Sequence, residues 1–165
     1  MKKLVFLFLL LSAKAGFSQN YIYLEDVKLK EVADYKTNEA NAVKAIDYLM
    51  STPAEENTDR KACIRFIIRY ADGCPFTITL DSYFADFYKK NTDLLPMYIG
   101  LWVKSAINNP DGKSEDHEKF IYTELYKYIK AGNNIKPNDK IKSLLKAGDA
   151  GTIDDWLKKN VYNKK

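Results

Sequence analysis

Two cysteines, one histidine and the adjacent acids Glu55-Glu56, Glu115-Asp116 and Asp154-Asp155 are the side chains of this 165-residue chain best suited to bond-making chemistry. Cys74 lies in the stretch RFIIRYADGCPFTITL, residues 65–80, just past the end of an expected helix. The helix dipole disfavours a thiolate there, and reactive thiols prefer helix N-termini and basic neighbours. Cys74 therefore reads as a small packed thiol at a corner. A bridge to Cys63 is disfavoured by geometry. Cys63 would sit roughly 13 Å from the helix end along the axis, whereas the two residues beyond the end fold back only about 7 Å. A disulfide needs the two Cα atoms within about 7 Å.

His117 is the only histidine, flanked by Glu115, Asp116 and Glu118. A metal would draw several ligands from such a cluster, but acids in the first turn of a helix are ordinary dipole partners. The expectation is a solvated imidazole and no metal site. The pairs Glu55-Glu56, Glu115-Asp116 and Asp154-Asp155 all fall at expected helix starts. Capping accounts for them. The alternative is a hydrolase or carbohydrate-active enzyme whose paired acids face each other across an aromatic cleft. Asp111-Gly112-Lys113-Ser114 has the end of a phosphate loop without its leading glycine or its strand. No cofactor is expected.

Aromatic residues are the remaining lead, with 12 Tyr, 8 Phe and 2 Trp. Tyrosine has a flat apolar body and a polar tip, which suits binding grooves as well as the rim of a core. Tyr83, Tyr88, Tyr98, Trp102, Tyr122 and Tyr126 are the candidate lining of a groove between two helical hairpins. The competing reading is a tyrosine-rich core.

These residues must be positioned by helices. Apolar residues recur at three- and four-residue steps through Ala42, Val43, Ile46, Leu49 and Met50. Thr37 is the expected cap of that helix, and Pro53 stops it. A second helix spans about Thr58–Asp72, with Thr52-Pro53-Ala54-Glu55 as a competing start. Its two apolar faces (Ala62, Phe66, Ile67, Tyr70; Ile64, Ile68) make it the expected centre of the core. Gly73 should end it in a left-handed conformation. PFTITL is an extended link to a cap at Asp81. Further helices are expected over residues 82–90, 94–107 (capped by Asp93), 114–131 (closed by Gly132), 138–147 (closed by Gly148) and 153–160 (capped by Thr152). The fold class is all-α, about seven helices packed as antiparallel hairpins, with an irregular repeat-like array left open. No constant period aligns the aromatics, and the tetratricopeptide pattern is absent.

Residues 1–18 have the layout of a cleaved signal peptide: Lys2 and Lys3, an apolar run from Leu4 to Leu11, then small residues. The run is too short to span a bilayer, and no later segment is apolar enough. Residues 19–36 form a lead-in of undecided structure, 37–160 one helical domain and 161–165 a solvated basic tail. Three of the 26 basic residues and no acid lie in the leader, so the rest carries 23 against 22, or +1. That balance gives no support for a nucleic-acid partner.

The run Phe66-Ile67-Ile68-Arg69-Tyr70, then Gly73, Pro75, Phe76 and Ile78, with Asn91, Leu94-Leu95, Tyr98 and Trp156-Leu157, resembles a pattern in small secreted bacterial all-helical proteins of unknown function. The resemblance implies an exported helical domain and carries no activity or site residue. The expected function is non-catalytic binding of a protein or peptide partner in the bacterial periplasm or envelope, or after secretion. A small inhibitor or immunity-type protein is the further alternative.

Overall fold

A computed structural model describes residues 20–164; the expected leader lies outside them. Among the described residues there are eight α-helices and no strand: α1 (Val32–Thr37), α2 (Glu39–Ser51), α3 (Thr58–Gly73), α4 (Phe84–Tyr88), α5 (Leu94–Asn108), α6 (Ser114–Lys130), α7 (Asp139–Asp149) and α8 (Ile153–Asn160). Single 3-10 turns cover Ile22–Asp26 and Tyr162–Lys164. The chain is all-α, as expected. None of these helices is long and apolar enough to cross a membrane.

Helix α5 is the centre. It carries one charged side chain, Lys104, and buries Leu94, Met97, Tyr98, Leu101, Trp102 and Val103 on nearly all sides. Helices α2 and α3 pack on one flank of it and α6 on another; α7 and α8 lie against α6. Gly100 makes the close approach workable, because a methyl there would stand 2.7 Å from Ile46 Cδ1. The expectation that α3 forms the centre is corrected. Its Phe66/Ile67/Tyr70 face is buried, but Ile68 on the other face is 42% exposed.

Several ends differ from expectation for local reasons. Thr37 closes α1 rather than capping α2; its hydroxyl donates to Ala33 O at 2.9 Å. Asn57, not Thr52, caps α3, its side-chain oxygen accepting from Arg60 N at 2.7 Å. Gly73 is the last residue of α3 and is not left-handed. It is small because Tyr35 from α1 presses on it: an added Cβ would lie 2.0 Å from the Tyr35 hydroxyl oxygen. Likewise Gly148 sits inside α7 under the Tyr126 ring, and the left-handed stop is Gly151 at φ 69°. Gly132 stops α6 as expected, at φ 77°.

The lead-in is structured. Its 3-10 turn packs on α3 and buries Leu24 completely. Tyr21 N donates to Asp59 Oδ1 at 2.8 Å, and Arg69 Nη2 donates to Leu24 O at 2.5 Å. The basic tail is likewise tied down at its start, where Val161 is buried and the Tyr162 hydroxyl donates to Glu115 O at 3.0 Å.

Candidate functional site

The six aromatic candidates do not share an open groove. Tyr83, Tyr98, Trp102 and Tyr122 are buried, and Tyr88 and Tyr126 are half-buried. Tyr98, Phe84, Phe87, Tyr122, Tyr83 and Trp156 form one continuous set of rings. Tyr98 lies 4.1 Å from Phe84, and Tyr122 lies 5.2 Å from Trp156. The hydroxyls are satisfied inside the protein by Asp81. Its carboxylate accepts from Tyr98 at 3.0 Å, from Tyr122 at 2.9 Å and from Phe84 N at 2.9 Å. Asp81 is thus the cap expected of it and also the anchor of two helices. Burial, then the Asp81 charge, raises the pKa of both tyrosines, so both stay neutral donors. Tyr126 faces outward, donating to Asp149 at 2.9 Å and accepting from Lys130.

A second buried charge stands at the other end of α3. Arg60 is 2% exposed. Its Nη1 donates to Leu49 O at 3.2 Å and to Thr52 Oγ1 at 3.2 Å, and its Nε to Asp93 at 3.2 Å. It therefore satisfies the last carbonyls of α2 and pins the start of α5. The Asp93 carboxylate serves this pair, not the α5 cap expected of it. No sequence pattern marks Arg60, since a charged residue inside a helical run ordinarily faces water.

His117 corrects the solvated reading. It is 5% exposed, its Nδ1 lies 2.9 Å from Ser105 Oγ, and its ring packs 4.6 Å from Trp102. The register explains this: His117 lies one turn before Ile121 and two before Leu125, on the buried face of α6. It lines a cavity of about 450 Å³ with Trp102, Phe76 and Ala106, rimmed by Lys36 and Glu39. Ser105 does not line that cavity. A bound molecule would meet imidazole and indole, with Thr77 and Ser114 as the hydroxyl residues of the lining.

Both cysteines are free, in line with the geometric argument against a bridge. Cys63 is fully buried, and burial pushes its thiol up to about 12. Cys74 donates weakly to the Ala71 and Phe76 carbonyls at 3.4 Å, and burial raises its pKa too. The acid pairs are exposed and locally engaged. Asp116 accepts from Lys113 N, Asp154 pairs with Lys119 and Glu56 with Lys61. Among the described residues no cluster of three or more His, Cys, Asp or Glu could hold a metal.

What remains is the outer face of α3. Ile64 and Ile68 line two neighbouring hollows of about 450 Å³ each. One is closed by Glu25, Arg65 and Arg69, the other by Glu56, Lys61, Asp93 and Pro96. Beyond Ile68 the apolar surface continues through Ile78 and Ile99 to Leu80, which is 50% exposed. The charges around it are held in place: Arg65 pairs with Glu25, and Arg69 donates to the Leu24 and Val27 carbonyls. The periodicity marked Ile64 and Ile68 as a second face of α3 without showing that it stays uncovered. Comparison with protein-family models, with curated proteins and with solved structures gives no match.

Proposed function

We propose that this is an exported helical protein of the bacterial periplasm or envelope that binds a protein or peptide partner through the outer face of α3. The observation that carries the reading is the row Ile64–Ile68, solvent-facing, hollow on both sides and rimmed by fixed charges. Apolar centre and charged rim are the anatomy of a recognition patch. The rim charges are already oriented by internal bonds, so little ordering cost remains on binding. The paired acids favour no hydrolytic alternative, because all are exposed and at least one member of each pair is engaged in a cap or an ion pair.

The test is site-specific photocrosslinking in the envelope of the native host. A photoreactive side chain at Ile68 should give one discrete adduct, lost when Ile64→Asp is added. The same group at the exposed Asp139 should give none. Equal labelling from both positions, or none from position 68, would reject the α3 face as the recognition surface.

A further inference from the structure

The connector between α3 and α4 carries an edge that the protein itself does not use. From Thr77 to Leu80 the chain runs without turn or bend. No backbone N–H from Phe76 to Leu80 donates a hydrogen bond among the described residues. The Tyr98 hydroxyl shares its one proton between Asp81 at 3.0 Å and Thr79 O at 3.2 Å, so the Thr79 carbonyl faces inward, toward α5. In an extended chain successive carbonyls point to opposite sides. Phe76, Ile78 and Leu80 therefore present their N–H groups on the outward edge, with the Ile78 and Leu80 carbonyls; the Phe76 carbonyl already takes a weak contact from Cys74 Sγ at 3.4 Å and keeps one lone pair for a further donor.

That edge is self-complementary. Phe76-Thr77-Ile78-Thr79-Leu80 reads apolar, Thr, Ile, Thr, apolar in either direction. We propose that two copies of this chain associate by antiparallel pairing of residues 76–80 about a two-fold axis at Ile78. Ile78 then exchanges both hydrogen bonds with the partner's Ile78. Phe76 does the same with the partner's Leu80, and Thr77 faces the partner's Thr79, a favourable cross-strand pair. The register that the symmetry demands is the one that the Tyr98–Thr79 bond makes available. Nothing on the segment blunts the edge, because no charged residue lies between Asp72 and Asp81. Pairing also covers Leu80. Five residues make a short ladder, so the association is weak, on the order of micromolar. This goes beyond the partner reading and does not depend on it, since it uses backbone groups of the connector and not the α3 side chains.

Sedimentation equilibrium of the purified chain over a roughly hundredfold concentration range should show a monomer–dimer equilibrium. Leu80→Pro removes an outward N–H at an exposed position and should raise the dissociation constant at least about tenfold. Thr77→Pro, which removes an inward N–H, should leave it unchanged. Independently, Ile78→Cys in a Cys74→Ser background should give a covalent dimer under mild oxidation. Opposed residues of a hydrogen-bonded pair lie about 5.5 Å apart, within disulfide reach. The crosslink keeps the idea testable if Leu80→Pro fails to fold. A monomer at every concentration overturns the proposal. So does a dimer indifferent to Leu80→Pro, one weakened equally by both prolines, or a monomer that instead captures an added FTITL peptide.

Discussion

Two of the buried charged residues, Arg60 and Asp81, solve the same problem with different materials. Arg60 is a cation enclosed by backbone: the Leu49 and Thr52 carbonyls, which the end of α2 leaves over, plus one half-buried carboxylate. Asp81 is an anion enclosed by side chains: two tyrosine hydroxyls from α5 and α6, plus one cap N–H. The Arg60 cluster joins elements that neighbour one another in sequence, α2 to α3, before reaching α5. The Asp81 cluster joins the connector directly to helices 17 and 41 residues away. Carbonyls cannot be mutated away, so apart from Arg60 itself only its Thr52 hydroxyl and Asp93 carboxylate contacts can be removed by substitution. The Asp81 cluster can be taken apart one hydroxyl at a time.

The sharpest way to break the comparison is Arg60→Ala. It takes the Arg60 donor from the Leu49 carbonyl and the ion-pair partner from Asp93, while Thr52 O keeps the Tyr128 hydroxyl, and should cost about 3–5 kcal/mol in urea unfolding. Arg60→Lys should recover little, because one ammonium cannot span the fork. Asp81→Ala should cost somewhat less, about 2–4 kcal/mol, since it orphans the Tyr122 hydroxyl, leaves the Tyr98 hydroxyl only the Thr79 carbonyl and removes a cap. Asp81→Asn should recover more than half of that, and a double-mutant cycle with Tyr98→Phe should show coupling. Equal losses for Asp81→Asn and Asp81→Ala would mean that the negative charge, not the acceptor oxygen, holds the hydroxyls.

Gly73→Ala comes next, at about 1–2 kcal/mol, through the Tyr35 hydroxyl and not through φ. In a Tyr35→Ala background the same change should become neutral or stabilising, because alanine is the better helix former. A smaller effect is expected with alkali. Cys63 has an ordinary thiol value of 9.0 that folding raises to about 12, and Tyr98 and Tyr122 are raised above 10.0. A raised folded-state value favours the neutral form, so this stabilisation is complete below about pH 9 and is lost as pH climbs toward 12. The urea midpoint should fall over that window, and Cys63→Ala should flatten the start of the fall. Last, Cys74→Ser should move stability by less than about 1 kcal/mol, since the hydroxyl can make the same weak bonds.

The order of these effects reflects what was legible in the sequence. The long helices were, because Ile46/Leu49 and Ile121/Leu125 repeat at helical spacing whatever lies opposite them. The Asp81 cap was also legible, because its partner, Phe84 N, is three residues away. Its bonds to Tyr98 and Tyr122 were not, and without them the tyrosines looked like a groove seeking a ligand. The burial of His117 was not legible because Glu115 and Asp116 just before it point to water, whereas His117 and Glu118 both face inward; one step on a helix is 100°. Short α1 carries Val32 at 70% exposure and no periodic face to betray it. Gly73 showed that a stop signal and a contact point can occupy the same residue. The α3 row was visible as apolar, but only the packed structure shows which apolar face is left outside.

The two tryptophans give the molecule a pair of optical reporters at different addresses. Trp102 sits beside His117 where α5 meets α6, and Trp156 donates to Ser143 at 2.9 Å where α8 meets α7. Each is the only indole in its neighbourhood, so Trp102→Phe and Trp156→Phe leave chains whose emission speaks for one end alone. If the α7–α8 end loosens before the α2–α3–α5 body, the two emission transitions will part. If the chain unfolds as one unit, they will coincide.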